Sequence, residues 1–245
     1  MRVLVTRPRE DAASLAAALE ARGHEALLEP LLTITPRDTV DWPQCHAAAQ
    51  ALLVTSANGA RAFARLDARR DIPVFAVGDA SATACRELGF GRVTSAAGDV
   101  GDLAALVAEK LDPAAGPLLH PAAGKPAGDL QGALAAAGFT VLRAVLYDAR
   151  PAAALSAACT SSLNDGLIDV VTFFSPRTAA AFVSLVEAAD LSHTCRAVTA
   201  LCLSEAVAAR ISGLSWSRTV VAERPEQDAL LAALDTLAGD RASQV

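Results

Sequence analysis

Six places in the sequence set small hydroxyl, glycine or basic residues just after a short apolar run and just before a helix-like stretch. They are Thr6-Arg7, Thr55-Ser56, Gly78 to Ser81, Ala123-Gly124-Lys125, Ser175-Pro176-Arg177 and Leu203-Ser204. The first N–H groups of a helix have no partner inside it and lie at the positive end of its dipole, which suits anions. Small residues there let a ligand come close to the backbone. One Ser or Thr in such a place is most often a plain N-cap contributing about 1 kcal/mol. The set as a whole fits a ligand that carries several carboxylates. Arg7 and Arg177 add guanidinium groups able to pair with such carboxylates. Tyr147 is the only tyrosine and lies in a polar, proline-bearing stretch. Its phenol is a weak acid, with a reference pKa near ~10, that can donate a hydrogen bond or proton to a departing hydroxyl. The plainer reading is an interface tyrosine whose hydroxyl is satisfied locally.

Other chemistries lack their signatures. There is no G-x-G-x-x-G or Walker A glycine cradle for a nucleotide, and no G-x-S-x-G elbow around Ser56 or Ser175. The histidines (His24, His46, His120, His193) stand apart in sequence from acidic or thiol partners at metal-ligand spacing. The cysteines (Cys45, Cys85, Cys159, Cys195, Cys202) form no C-x-x-C pair and are expected to be reduced and mostly packed. Asp79 and Asp169 can serve acid–base work, although a strand or loop aspartate is more often structural. The formal net charge of −6 argues against nucleic acid and anionic membrane as partners. No apolar run approaches the ~20 residues of a spanning helix, and the first residues read as a strand entering a turn. A soluble, cytoplasmic protein is expected.

The elements that must position these residues alternate strand with helix. Arg2 to Thr6 reads as a strand, Pro8 as a first helical position, Leu15, Ala18 and Leu19 as a helical face, and Gly23 as a stop. Ala26-Leu27-Leu28 begins the next strand. A second unit starts with the strand Ala51 to Ser56 and continues through a helix from Asn58 to Leu66. A strand from Val74 to Val77 follows, then a helix ending near Gly89. Both patterns return: Leu118 to Gly138 matches the opening unit, with Leu134 and Gly138 opposite Leu19 and Gly23. Val170 to Phe182 echoes Ala51 to Phe63 at constant offset, and Val198 to Arg210 echoes Val74 to Arg86 more weakly. The order A, B, A′, B′ predicts parallel sheets covered on both faces. Thr33 to Asp41 and Tyr147 to Pro151 break the pattern and are the natural crossings between two domains.

Taken in order, VLVTRP, LLVTSANGARAF, FAVGDASATA, LYDARP, IDVVTFFSPRTAAAF and the alanine-rich end after Glu223-Arg224-Pro225 resemble the uroporphyrinogen-III synthase family over nearly the whole chain. The resemblance implies an α/β fold of two flavodoxin-like parallel-sheet domains joined by a two-segment connector, with the active site in the interdomain cleft. Residues 1–33 with 152–245 would form one domain, 42–146 the other, and 34–41 with 147–151 the connector. It further implies a cofactor-free, metal-free, monomeric lyase acting on hydroxymethylbilane, with a transient contact to the upstream hydroxymethylbilane synthase. The substrate-binding residues carried over are Arg7, Thr55, Ser56, Ser81, Gly124, Ser175, Arg177 and Ser204, and the catalytic one is Tyr147. Ser81 replaces a commoner threonine, and Cys202 and Glu205 stand where many relatives have a glycine-containing motif. A non-catalytic anion- or tetrapyrrole-binding module on the same scaffold is the alternative.

Overall fold

The computed structural model describes residues 1–124 and 128–242. In chain order the strands and α-helices begin with β1 (Arg2–Val5), α1 (Arg9–Glu20), β2 (Glu25–Leu28), β3 (Leu32–Pro36), β4 (Ala51–Val54), α2 (Ala57–Leu66) and β5 (Val74–Ala76). Next come α3 (Asp79–Glu87), β6 (Val93–Ser95), α4 (Val100–Lys110), β7 (Leu118–Ala123), α5 (Leu130–Ala136) and β8 (Val141–Pro151). The rest is α6 (Ala157–Asn164), β9 (Val170–Phe173), α7 (Pro176–Ala188), β10 (Thr199–Cys202), α8 (Glu205–Ala208), β11 (Arg218–Val221) and α9 (Gln227–Ala242). The chain divides into two compact units, one of residues 1–33 with 150–245 and one of residues 34–149.

The strands of the first unit form a sheet in the order β11-β10-β9-β1-β2, and every pair in it is parallel. Alternation along β1 assigns its two faces. Val3 and Val5 pack with Leu15 and Leu19 of α1 and Leu230, Leu231 and Leu234 of α9, whereas Leu4 packs with Phe173 and Phe182 on the other side. A strand buried on both faces reads as a continuous apolar run, as RVLV does.

The second unit repeats the winding with a different entry point. Its sheet runs β3-β8-β7-β4-β5-β6. Ala51 and Leu53 of β4 face Leu103 and Val107 of α4 and Leu130 and Leu134 of α5. Leu52 and Val54 face Phe63 of α2 and Cys85 of α3. Counting β7 as the first strand, β8-β7-β4-β5-β6 is the same flavodoxin-like order as β2-β1-β9-β10-β11. The ladders agree residue by residue. Val3 opposite Val170 matches Leu118 opposite Ala51, and Arg2 opposite Glu25 keeps the frame in which Leu118 lies opposite Val141. At the third strand the pairing differs from the sequence echo. Leu52 lies opposite Val74 and Val171 opposite Ala200, so Val74 corresponds to Ala200 and not to Val198. The backbone ladder, not residue type, fixes this frame, and it places Gly78 opposite Ser204.

The stretches that break the sequence pattern are strand over most of their length, residues 37–41 excepted. Leu32–Pro36 is β3, and Tyr147 to Pro151 is the second half of the eleven-residue β8 beside it. Their polar residues are tolerated because backbone bonding carries the pairing: Ala152 N–H donates to Leu31 O at 2.9 Å and Arg37 N–H to Leu146 O at 2.9 Å. Tyr147 is therefore held in a strand.

Candidate functional site

In a sheet of this order ligands gather beyond the carboxyl ends of the strands, at the point where the winding reverses. That point lies between β1 and β9 in the first unit and between β7 and β4 in the second.

In the second unit it is polar. β4 is followed by Thr55, whose hydroxyl lies 3.1 Å from His120 Nε2 on β7. Ser56 follows as N-cap of α2, its Oγ accepting from Gly59 N–H at 3.3 Å and lying 2.9 Å from the Tyr147 hydroxyl. The start of α2 is pressed onto β7, since a Cβ on Gly59 would come within 2.7 Å of the Pro121 carbonyl oxygen. Tyr147 is 5% exposed and His120 9%. Burial, with a smaller contribution from the Arg143 charge, pushes the His120 imidazole down to about 4, so the ring is neutral near pH 7. Arg143 lies opposite His120 in the β7–β8 ladder. Its Nη2 donates to the carbonyls of Ala123 and Gly124 (the latter at 2.9 Å), while its buried Nε has no partner among the described residues. Gly124 is small for an internal reason. A Cβ there would meet Asp148 Oδ1 at 2.5 Å, and Asp148 forms a two-point ion pair with Arg37 at 3.0 and 3.2 Å. Lys125 lies outside the described residues. Ser81 is buried in the first turn of α3, where Gly78 takes the cap position.

In the first unit the same place is filled. Thr6 Oγ1 donates to Thr172 O at 2.7 Å and Thr172 Oγ1 to Leu4 O at 3.2 Å, which closes both buried hydroxyls on the sheet itself. Arg7 stacks on the Phe174 ring at 4.3 Å, donates to Gln227 Oε1 at 2.8 Å and lies 3.7 Å from Asp11. It thereby ties α1 and α9 to the end of the sheet. Ser175 caps α7 by accepting from Thr178 N–H at 3.2 Å, and its hydroxyl also meets Thr178 Oγ1 at 2.9 Å. Arg177 is half-buried in the first turn of that helix. Ser204 precedes α8 in extended conformation and makes no capping bond with its side chain.

The structure thus groups Thr55, Ser56, Gly124 and Tyr147 with His120 and Arg143 on one sheet edge, and Arg7, Ser175, Arg177 and Ser204 along the other. His120 and Arg143 were not among the residues read from the sequence as functional. A signal for His120 was present, because a histidine interrupts the apolar strand LLHPAA where the repeat has valine. Among the described residues no group of three or more His, Cys, Asp or Glu converges as a metal site, and no helix is long and apolar enough to cross a membrane. Cys85, Cys159, Cys195 and Cys202 are free and buried, and burial raises each thiol to about 11 or 12, which keeps it protonated. The buried Glu29 carboxylate is tied to the scaffold. Glu29 accepts from the Ser156 backbone N–H and hydroxyl at 2.8 and 2.5 Å and thereby fixes the start of α6.

The family model described as uroporphyrinogen-III synthase HemD matches residues 13–232. Among solved structures, the chain is similar to a mutant uroporphyrinogen III synthase from Thermus thermophilus, at 21% identity and TM-score 0.59, over 98% of this chain and 99% of that one. It is likewise similar to the uroporphyrinogen-III synthetase of Helicobacter pylori, at 17% identity and TM-score 0.61, over 97% and 100%. These structural likenesses bear on the fold. No curated protein matches the chain.

Proposed function

Because the chain belongs to the uroporphyrinogen-III synthase family, we propose that it closes hydroxymethylbilane, a linear tetrapyrrole with eight carboxylates, into uroporphyrinogen III with ring D inverted. It would act as a hydro-lyase, without cofactor, as a cytoplasmic monomer. The observation that carries the reading is the Tyr147–Ser56 hydrogen bond of 2.9 Å on a sheet edge of the kind that holds ligands.

The reaction begins as ring A loses its hydroxyl, which departs as water with the Tyr147 proton; the ring A pyrrole N–H returns a proton to the phenolate and leaves an azafulvene with an electrophilic methylene carbon. The substituted carbon of ring D attacks that carbon to give a spiro intermediate, which fragments and recloses with ring D reversed. Hydroxymethylbilane also cyclises unaided, without inversion, so the protein's task is chiefly to hold the chain where the inverting path is nearest. Tyr147 assists the first step. Ser56 Oγ already accepts from Gly59 N–H, and when its own proton goes to the phenol oxygen, the phenol proton is directed to the leaving hydroxyl. Ser56 thereby positions the acid while it caps α2. Each unit by itself offers carboxylates a helix start, α2 at Ser56 in the second unit and α7 at Ser175, with Arg177, in the first.

The test is Tyr147→Phe. Turnover should fall roughly 10- to 100-fold while affinity for the cyclic product changes less than about threefold. A variant as fast as the wild type would remove Tyr147 from the mechanism.

A further inference from the structure

We infer that His120 is a positioning residue for the same site, holding the Thr55 hydroxyl in a set orientation toward substrate; the inference rests on the function proposed above. The matching place in the first unit shows what the fold needs there. By the ladder frames, His120 corresponds to Val5 and Arg143 to Leu28, and by the repeat Thr55 corresponds to Phe174. Val5 is fully buried among aliphatic side chains, and Phe174 packs on the same cluster. Val5 and Phe174 are therefore a packed apolar pair, with Leu28 beside them 42% exposed, and the second unit sets polar residues at all three places.

That replacement is unfavourable for packing alone. A buried imidazole or hydroxyl loses water and recovers the loss only through a hydrogen bond. Here the recovery comes from the Thr55–His120 contact of 3.1 Å. Thr55 is only half-buried. It also immediately precedes Ser56, which bonds Tyr147. Because the ring is neutral, one nitrogen donates and the other accepts. The tautomer sets whether Thr55 offers the substrate a lone pair for a pyrrole N–H or a proton for a carboxylate.

The experiment compares full-length wild type, His120→Val, His120→Gln, Thr55→Val and the His120→Val/Thr55→Val double variant, with hydroxymethylbilane generated in situ by its upstream deaminase. Melting temperatures are recorded alongside. His120→Val should melt within a few degrees of wild type, since valine is what the first unit uses. Its KM should rise about tenfold with kcat within about twofold, and Thr55→Val should do the same. The double variant should be no worse than either single one, and His120→Gln, which can still bond Thr55, should recover most of the loss. An unchanged KM in His120→Val beside an active wild type overturns the inference and leaves the proposed function standing, as would additive losses in the double variant. If His120→Val does not fold, His120→Gln decides, because a KM raised as far as that of Thr55→Val overturns the inference. Wild type that yields only the non-inverted isomer overturns the proposed function and this role with it.

Discussion

Val5 and His120 occupy corresponding places in two sheets wound the same way, and their surroundings have diverged in opposite directions. Around Val5 the sheet end is closed: Thr6 and Thr172 bond to backbone carbonyls, and Arg7 is stacked on Phe174 and tied to Gln227. Around His120 the same winding carries Thr55, Ser56, Tyr147 and Arg143, joined by hydroxyl–imidazole and hydroxyl–phenol contacts. The scaffold therefore demands neither arrangement. A parallel sheet buried on both faces accommodates apolar residues at this point, as the first unit shows, so the polar cluster of the second is where we propose that the chemistry is placed. The first unit keeps capped or bare helix starts, which suit carboxylates without any reactive side chain.

The sharpest way to break this comparison is through pH. His120 is pushed down to about 4 in the folded chain from 6.5, so between those values the unfolded state takes up a proton that the folded state refuses. Stability contributed above pH 6.5 is lost as pH falls toward 4, by on the order of 3 kcal/mol. Urea unfolding of wild type and His120→Val across this range should show a clearly larger loss in the wild type, since His24, also lowered by burial, contributes to both. Equal slopes would mean that the second unit's polar site is not dry. Next in size is Ser175→Ala, which removes the cap of α7 in the first unit. It should cost about 1 kcal/mol in unfolding free energy and leave turnover nearly unchanged, because the backbone N–H remains. Abolished activity in folded protein would show that the first unit has a reactive hydroxyl after all. Smallest is Ser204→Ala, whose side chain makes no cap bond. Its stability should shift by less than about 0.5 kcal/mol, and a larger loss would reveal a bond of that hydroxyl to the scaffold.

Much of this architecture is legible in the residues. The alternation of VLV and ALLV with helical stretches announces doubly covered parallel strands, and the echo of Val170 to Phe182 on Ala51 to Phe63 exposes the repeat. Ser56 and Ser175 announce themselves as junction residues because a cap is a local device, settled within three residues of chain. What the sequence hides is set by partners far along it. The β3–β8 pairing depends on backbone bonds between residues such as Arg37 and Leu146, which no side-chain pattern encodes. Gly124 reads as room for a ligand, yet Asp148 already occupies that room. His120 looks isolated because its partner, Thr55, belongs to another strand. The frame of the third strand is likewise fixed by ladder bonds, so the faint echo of Val74 in Val198 misplaces it by two residues.

The most direct measurement is a coupled assay in which hydroxymethylbilane is generated in situ by its upstream deaminase and the oxidised products are separated into type I and type III isomers. A ring-inverting enzyme produces a shift from type I to type III that scales with the amount of this protein. Type I alone, in the presence of demonstrably folded chain, would contradict the proposed function.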